Sequence, residues 1–174
     1  MNDNELYDAV KSVALLHGDF TLRSGRKSKY YLDKYLFEAD PAILRELGER
    51  FARHITPSTT RIAGAELGGV ALAASTSMAS GLPFVIIRNA KKGYGTQKMY
   101  EGKLEVADRI LLVEDVATTG GQVVEAAKTI SDAGAVVEKI VAVIDRQEGA
   151  RENIESAGYT FDSLMTKTNL GINE

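Results

Sequence analysis

Arg109-Ile110-Leu111-Leu112-Val113-Glu114-Asp115-Val116-Ala117-Thr118-Thr119-Gly120-Gly121-Gln122 is the stretch on which the reading of this chain turns. Ile110 to Val113 is a short, wholly apolar run, the pattern of a strand buried on both faces of a sheet. Two carboxylates, Glu114 and Asp115, follow at its end, and then a turn of small residues, Thr118, Thr119, Gly120 and Gly121. The spacing from Gln122 to Ile130 predicts a helix. Such a turn admits close backbone approach, and a helix start offers unpaired N–H groups and partial positive charge to a phosphate. Carboxylates beside it can accept hydrogen bonds from vicinal sugar hydroxyls. A ribose phosphate is the simplest molecule that satisfies both ends. The competing reading is an ordinary strand–helix turn whose acids merely sit near a helix dipole.

Other nucleotide sites fit less well. No G-x-x-x-x-G-K-[ST] loop occurs, and Gly64 to Gly69 does not supply the G-x-G-x-x-G of a dinucleotide fold. The 174 residues suit one domain, with 44% apolar and 26% charged residues as in a soluble globular protein. A net charge of −3 names neither nucleic acid nor an anionic membrane as an obligatory partner. The absence of cysteine excludes disulfides and thiolate metal sites, and His17 and His54 are too few and too distant for a metal centre. Met1 to Asp8 is acidic and polar, unlike a signal peptide, and Val70 to Ala79 is too short to span a bilayer. A cytoplasmic enzyme is expected.

Outward from the opening stretch, strands and helices alternate. Strands are predicted at Arg61–Ala65, Phe84–Arg88, Val136–Asp145 and Thr160–Leu164, and helices at Gly69–Ser80 and Glu148–Ala157. A long polar loop should run from Arg88 to about Asp108. This predicts an α/β fold with a mostly parallel sheet flanked by helices. Upstream, Glu5–Leu16 carries a helical stripe stopped by Gly18, and Asp40-Pro41 opens a helix to about Ile55. Between them, strands at Phe20–Arg23 and Tyr30–Tyr35 flank a basic turn, forming a hood over residues 1–40 outside the core of residues 60–165.

Three more segments carry chemistry. Gly64-Ala65-Glu66-Leu67-Gly68-Gly69-Val70 places glycines at a strand-to-helix turn, where backbone amides can approach an anion or where helix and sheet simply pack closely. Arg88 to Lys98 holds four cations and two glycines, which suits a lid over an anion or a solvated insertion. Phe20 to Asp33, with Asp145-Arg146-Gln147-Glu148-Gly149, combines cations and aromatics suited to a flat anionic base, or else forms surface turns.

In this order and spacing the four segments resemble the orotate phosphoribosyltransferase branch of the type I phosphoribosyltransferases, over nearly the whole chain. The motifs T-L-x-S-G-x-x-S-x-Y-Y and D-R-Q-E-G are those that set the orotate branch apart from relatives acting on purines. The resemblance implies transfer of ribose 5-phosphate from phosphoribosyl diphosphate (PRPP) to orotate, with Mg²⁺ held mainly by PRPP and water rather than by protein ligands. It assigns Val116, Ala117, Thr118, Thr119, Gly120, Gly121 and Gln122 to the 5′-phosphate side of PRPP, and Glu114 and Asp115 to the ribose hydroxyls. Glu66, Leu67, Gly68 and Gly69 become the pyrophosphate loop, with a non-proline cis peptide expected near Glu66-Leu67. Arg88, Asn89, Lys92 and Tyr94 close over the pyrophosphate, and Lys92 joins Glu114 and Asp115 as catalytic. Orotate falls to Arg23, Thr118, Arg146 and the backbone of Tyr31 and Leu32. In the family the lid reaches the partner's site, which implies a homodimer.

The chain departs from the family pattern at four positions. Arg23 stands where a lysine is usual, Asn89 where the lid usually has lysine, Gly68 where some members have a loop lysine, and Tyr94 where some have histidine. Two alternatives stay open at this point: a regulator of the same fold that binds PRPP or nucleotides without catalysis, and a transferase for another base.

Overall fold

The structure, a computed structural model, describes residues 1–21, 25, 27–89 and 98–172. Arg23, Lys92 and Tyr94 lie outside the described residues. Helix α1 (Asp3–Ala14) begins with a capping box in which Asn2 accepts from the Glu5 N–H and the Glu5 carboxylate accepts from the Asn2 N–H. The antiparallel hairpin β1 (Leu15–Thr21) and β2 (Lys27–Leu32) is the hood, a two-stranded sheet of its own. Asp33 caps the short α2 (Lys34–Glu38), and Asp40 caps α3 (Pro41–Ala52) with Pro41 in its first turn.

The central sheet follows: β3 (Arg61–Ala65), α4 (Gly68–Ser80), β4 (Phe84–Ile87), β5 (Tyr100–Glu101), β6 (Arg109–Ala117), α5 (Gly121–Asp132), β7 (Val136–Asp145), α6 (Ala150–Ser156) and β8 (Phe161–Thr166). Its order is β5-β4-β3-β6-β7-β8, parallel throughout except for β5 against β4. The mostly parallel sheet expected from the alternation is therefore present. Burial explains it. Leu111 and Val113 of β6 enter one apolar cluster with Leu6, Phe37, Leu47 and Leu72, while Ile110 and Leu112 enter another with Val123, Ile130 and Ile154. A strand covered on both faces reads as an unbroken apolar run. Among the described residues no helix is long and apolar enough to cross a membrane.

From β3 the chain works outward to one edge through β4, and from β6 to the other through β7 and β8. The reversal lies between β3 and β6, and open α/β sheets bind ligands in the crevice beyond the carboxyl ends of such strands. Both glycine turns stand there, after Ala65 and after Ala117. Packing is tight enough at this point to demand glycine: a Cβ on Gly64 would lie 2.6 Å from the Gly69 carbonyl carbon.

Several sequence expectations shift. The first helix ends at Ala14, because Leu15 is already extended and pairs with Leu32; Gly18 lies inside β1, in the irregular register between His17 and Phe20. Strand β2 stops at Leu32, since Asp33 starts a helix that takes in Tyr35. Within the polar loop, Tyr100 and Glu101 pair with Ile87 and Ile86 as an edge strand. The most consequential shift is in β6, which continues through the acidic pair because β7 pairs with it as far as Ala117↔Asp145. Glu114 and Asp115 therefore lie within the strand, and successive side chains on a strand face opposite ways.

Candidate active site

The turn after β6 forms a small cradle of about 80 Å³, lined by Glu114 and the run Val116–Val123. Gly120 takes the left-handed conformation (φ 79°) that starts α5, and no side chain caps that helix. Its first amides are left without the acceptors a cap would supply, so they can serve an anion. Two bonds from elsewhere steady the turn. The Asn153 side-chain amide of α6 donates to the Thr119 carbonyl at 2.9 Å, and the Arg146 N–H donates to the Ala117 carbonyl at 3.0 Å.

The two acids of β6 have parted. Glu114 lines the cradle, and its Oε1 accepts from the Asp115 N–H at 3.2 Å. Burial and the neighbouring Asp115 carboxylate push the Glu114 carboxyl well above the usual carboxylate range. Its ionisation is therefore favoured by a cation arriving in the cradle. Asp115 points away, toward α2 and the start of α4, and is 2% exposed. Its Oδ1 accepts from the Val116 N–H at 2.5 Å and its Oδ2 pairs with Lys34 Nζ at 2.5 Å. Burial opposes charge on Lys34, but the hydrogen bond and charge of Asp115 outweigh it and raise the ammonium's pKa.

Beside the cradle, the Glu66–Leu67 peptide is cis, where the resemblance places it. Leu67 is exposed at this bend, and Gly68 and Gly69 open α4. Asn89 reaches back to the same loop: its N–H donates to Glu66 Oε1 and its side-chain amide to the Glu66 carbonyl, each at 2.9 Å. Arg88 lies 3.8 Å from Glu66 and 3.5 Å from Glu101. A cavity of about 390 Å³ is lined by Arg88, Asn89 and Met99 on one side and by Gln122, Glu125 and Thr129 on the other. The foot of the expected lid, the expected pyrophosphate loop and the cradle thus meet at one crevice.

The residues expected to hold the base have local partners. Tyr31, 44% exposed, packs against Phe20 within the hairpin with ring centroids 5.6 Å apart, and Leu32 packs on the core. Arg146 pairs with Glu148 of its own loop at 3.0 Å. The hairpin is tied to the crevice two residues beyond Leu32, through the Lys34–Asp115 pair.

No family model matches the chain. The orotate phosphoribosyltransferase of Methanocella arvoryzae is 46% identical to it over 169 residues, which are 97% of this chain and 97% of that one. The chain belongs to the orotate phosphoribosyltransferase family. Solved members of the family share the fold. The Mycobacterium tuberculosis H37Rv enzyme in complex with Fe(III) dicitrate superposes with a TM-score of 0.86 at 29% identity, covering 98% of this chain and 99% of that one. The same enzyme in complex with PRPP gives 0.81 at 27% identity, with coverages of 98% and 99%.

Three residues at this orotate phosphoribosyltransferase crevice had no signal in the sequence. Lys34 and Glu38 sit four apart on a helix too short to show a stripe, and Asn153 is joined to the cradle only by the packing of α6. Asn153→Ala removes one bond to the Thr119 carbonyl while leaving the apolar core intact. We expect KM for PRPP to rise several-fold and the melting temperature to move little, because a net hydrogen bond at this exposed site contributes about 1 kcal/mol at most. Steady-state kinetics and a thermal melt check both.

Proposed function

We propose that the chain joins orotate to the ribose 5-phosphate of PRPP, giving orotidine 5′-monophosphate and pyrophosphate in de novo pyrimidine (UMP) biosynthesis. The observation that carries this reading is the meeting of the two glycine turns at the carboxyl ends of β3 and β6, with Glu114 facing the cradle between residues 116 and 123. In the reaction an orotate nitrogen forms a bond to the anomeric carbon as the bond to pyrophosphate breaks. The positive charge developing on the ribose needs stabilisation, and no side chain need act as a nucleophile.

The amides of Thr118 to Gln122 hold the 5′-phosphate in this assignment. Glu114 accepts from the ribose hydroxyls and favours cationic charge on the ring. Asp115 is the fixed charge beneath the junction of the two loops, gripped by Lys34 and the Val116 N–H. Glu66 to Gly69 receive the pyrophosphate, and Arg88, Lys92 and Tyr94 neutralise it. Asn89 acts as a tie between the lid's foot and the loop, since both its amide groups serve Glu66. Orotate falls to Arg23, Thr118, Arg146 and the Tyr31–Leu32 backbone.

In this reading Mg²⁺ is carried mainly by the oxygens of PRPP and by water, since such ions keep several waters and take few protein ligands. When bound, Mg²⁺ would supply charge neutralisation on the leaving pyrophosphate, with Glu114 as the carboxylate facing the cradle. We place the enzyme in the cytoplasm, as a homodimer whose lid serves the partner's site. An absorbance assay with orotate, PRPP and Mg²⁺ tests the reading: orotidylate should appear, and turnover with purine bases alone, or none at all, would contradict it.

A further inference from the structure

Beneath the pyrophosphate loop lies a buried acid that the reaction as assigned does not use. Glu38, in the last turn of α2, is 6% exposed, and its Oε1 makes no hydrogen bond. Buried carboxyl oxygens are ordinarily paired, so an orphan asks for a physical account. Its surroundings supply one. A Cβ built on Gly68 would collide with Asp115 Oδ2 and come within 3.1 Å of Glu38 Oε1, so both carboxyls converge on the first residue of α4. Lys34, one turn earlier on α2, is paired to Asp115. Two buried acids thus face one ammonium.

The charges acting on Glu38 are Asp115 from β6, Lys34 from its own helix and Asp33 at that helix's start, while Glu114 acts on Lys34. From α4 the group meets Gly68; α1 and α3, which also pack on α2, carry buried Leu6, Val10, Ile43 and Leu47, and the buried Arg50 of α3 is paired with Asp3 and Glu46. One ammonium can neutralise one of the two acids in such a site, so the other is most stable with its proton.

We propose that Glu38 is a positioning residue for the transfer reaction: neutral, it leaves Lys34 to hold the Asp115 carboxylate against Gly68, and ionised it competes for Lys34 and places a second negative charge beneath the loop that receives pyrophosphate. This inference rests on the reading given above. Burial first, and then Asp115, lift the Glu38 carboxyl to about 8, so the exchange falls just above neutral pH. The neutral form is the one present below that value and is lost as pH rises through it. By linkage, an anion arriving at the loop draws a proton onto Glu38.

The test is KM for PRPP between about pH 7 and about pH 9, at saturating orotate and Mg²⁺, in the wild type, Glu38→Gln and Glu38→Asp. Only the neutral fraction binds well, so the wild type should show about a tenfold rise one pH unit above the Glu38 value. Glu38→Gln, which cannot ionise, should lack that rise, and Glu38→Asp should restore an alkaline rise. A residue that merely fills space would leave the pH profile of the Gln variant like that of the wild type, and this result overturns the proposal. Calorimetry of Mg²⁺–PRPP binding near pH 8, in buffers of differing ionisation enthalpy, compares the wild type with Glu38→Gln and needs no turnover. Protons exchanged at Glu114 are common to both, so the wild type should take up more protons on binding than the Gln variant, and equal proton exchange overturns the proposal. Failure to turn over orotate counts against the reading alone, because the calorimetric arm still decides the role of Glu38.

Discussion

Gly68→Ala is expected to lower kcat/KM for PRPP by about 10²-fold or more while the protein still folds, since a displacement near 1 Å at a reacting site costs that much. The added methyl collides with Asp115 Oδ2, the oxygen paired to Lys34. The atom that must yield is the end of a side chain rather than backbone, so the damage falls on the site more than on the fold. Overpacking of this kind costs roughly 1–3 kcal/mol of stability, visible as a modest loss in melting temperature. KM for PRPP should carry most of the change, because the loop and the charge beneath it are displaced before chemistry begins. Unaltered kinetics would show that the Asp115–Gly68 contact has no part in catalysis. The contrast with Gly64 is instructive. There a Cβ meets the Gly69 backbone, which has no freedom to move, and the same substitution attacks the junction of β3 and α4 itself.

Lys92→Ala should lower kcat by about 10²–10³-fold, the range found when one preorganised group facing developing charge is removed, and leave the thermal melt unchanged. This expectation comes from the resemblance, since Lys92 lies outside the described residues. Unchanged turnover would remove Lys92 from the catalytic set. The same variant tests the dimer. If each lid serves the partner's site, mixing Lys92→Ala chains with Gly68→Ala chains under exchanging conditions creates hybrids with one intact site. A two-fold dimer with random exchange should then recover about a quarter of wild-type activity. Recovery no greater than the sum of the two variants would place the lid over its own site or leave the chains monomeric.

Much of the core was legible because its signals are local. Strands β3 and β7 occupy the predicted residues, since an apolar run ended by a glycine or charged turn is the direct signature of a strand covered on both faces. The cradle was legible for the same reason: strand end, turn and helix start are contiguous in the chain. What escaped depends on distance or on register. The apolar run before Glu114 suggested that the strand ended there. Its continuation to Ala117 is fixed by pairing with β7, residues far along the chain, and that continuation separates Glu114 from Asp115. Lys34 and Glu38 have the spacing of an exposed ion pair on a helix. Only the packing of α2 against α4 and the proximity of Asp115 show that Lys34 answers to a different acid and that Glu38 is buried. Asn89, which the resemblance sets over the pyrophosphate in place of a lysine, bonds to Glu66 through both its amide groups, a contact that only the fold brings about.

The central claim is that a sugar phosphate lies with its phosphate on the amides after β6 and its hydroxyls at the acid facing them. Crystals grown with orotidine 5′-monophosphate test it most directly. The account predicts phosphate density within hydrogen-bonding reach of the backbone N–H groups of residues 118–122, and the ribose hydroxyls on Glu114 with Asp115 just beneath. A nucleotide bound elsewhere, or a filled turn with Glu114 and Asp115 both directed away from the ribose, would contradict it.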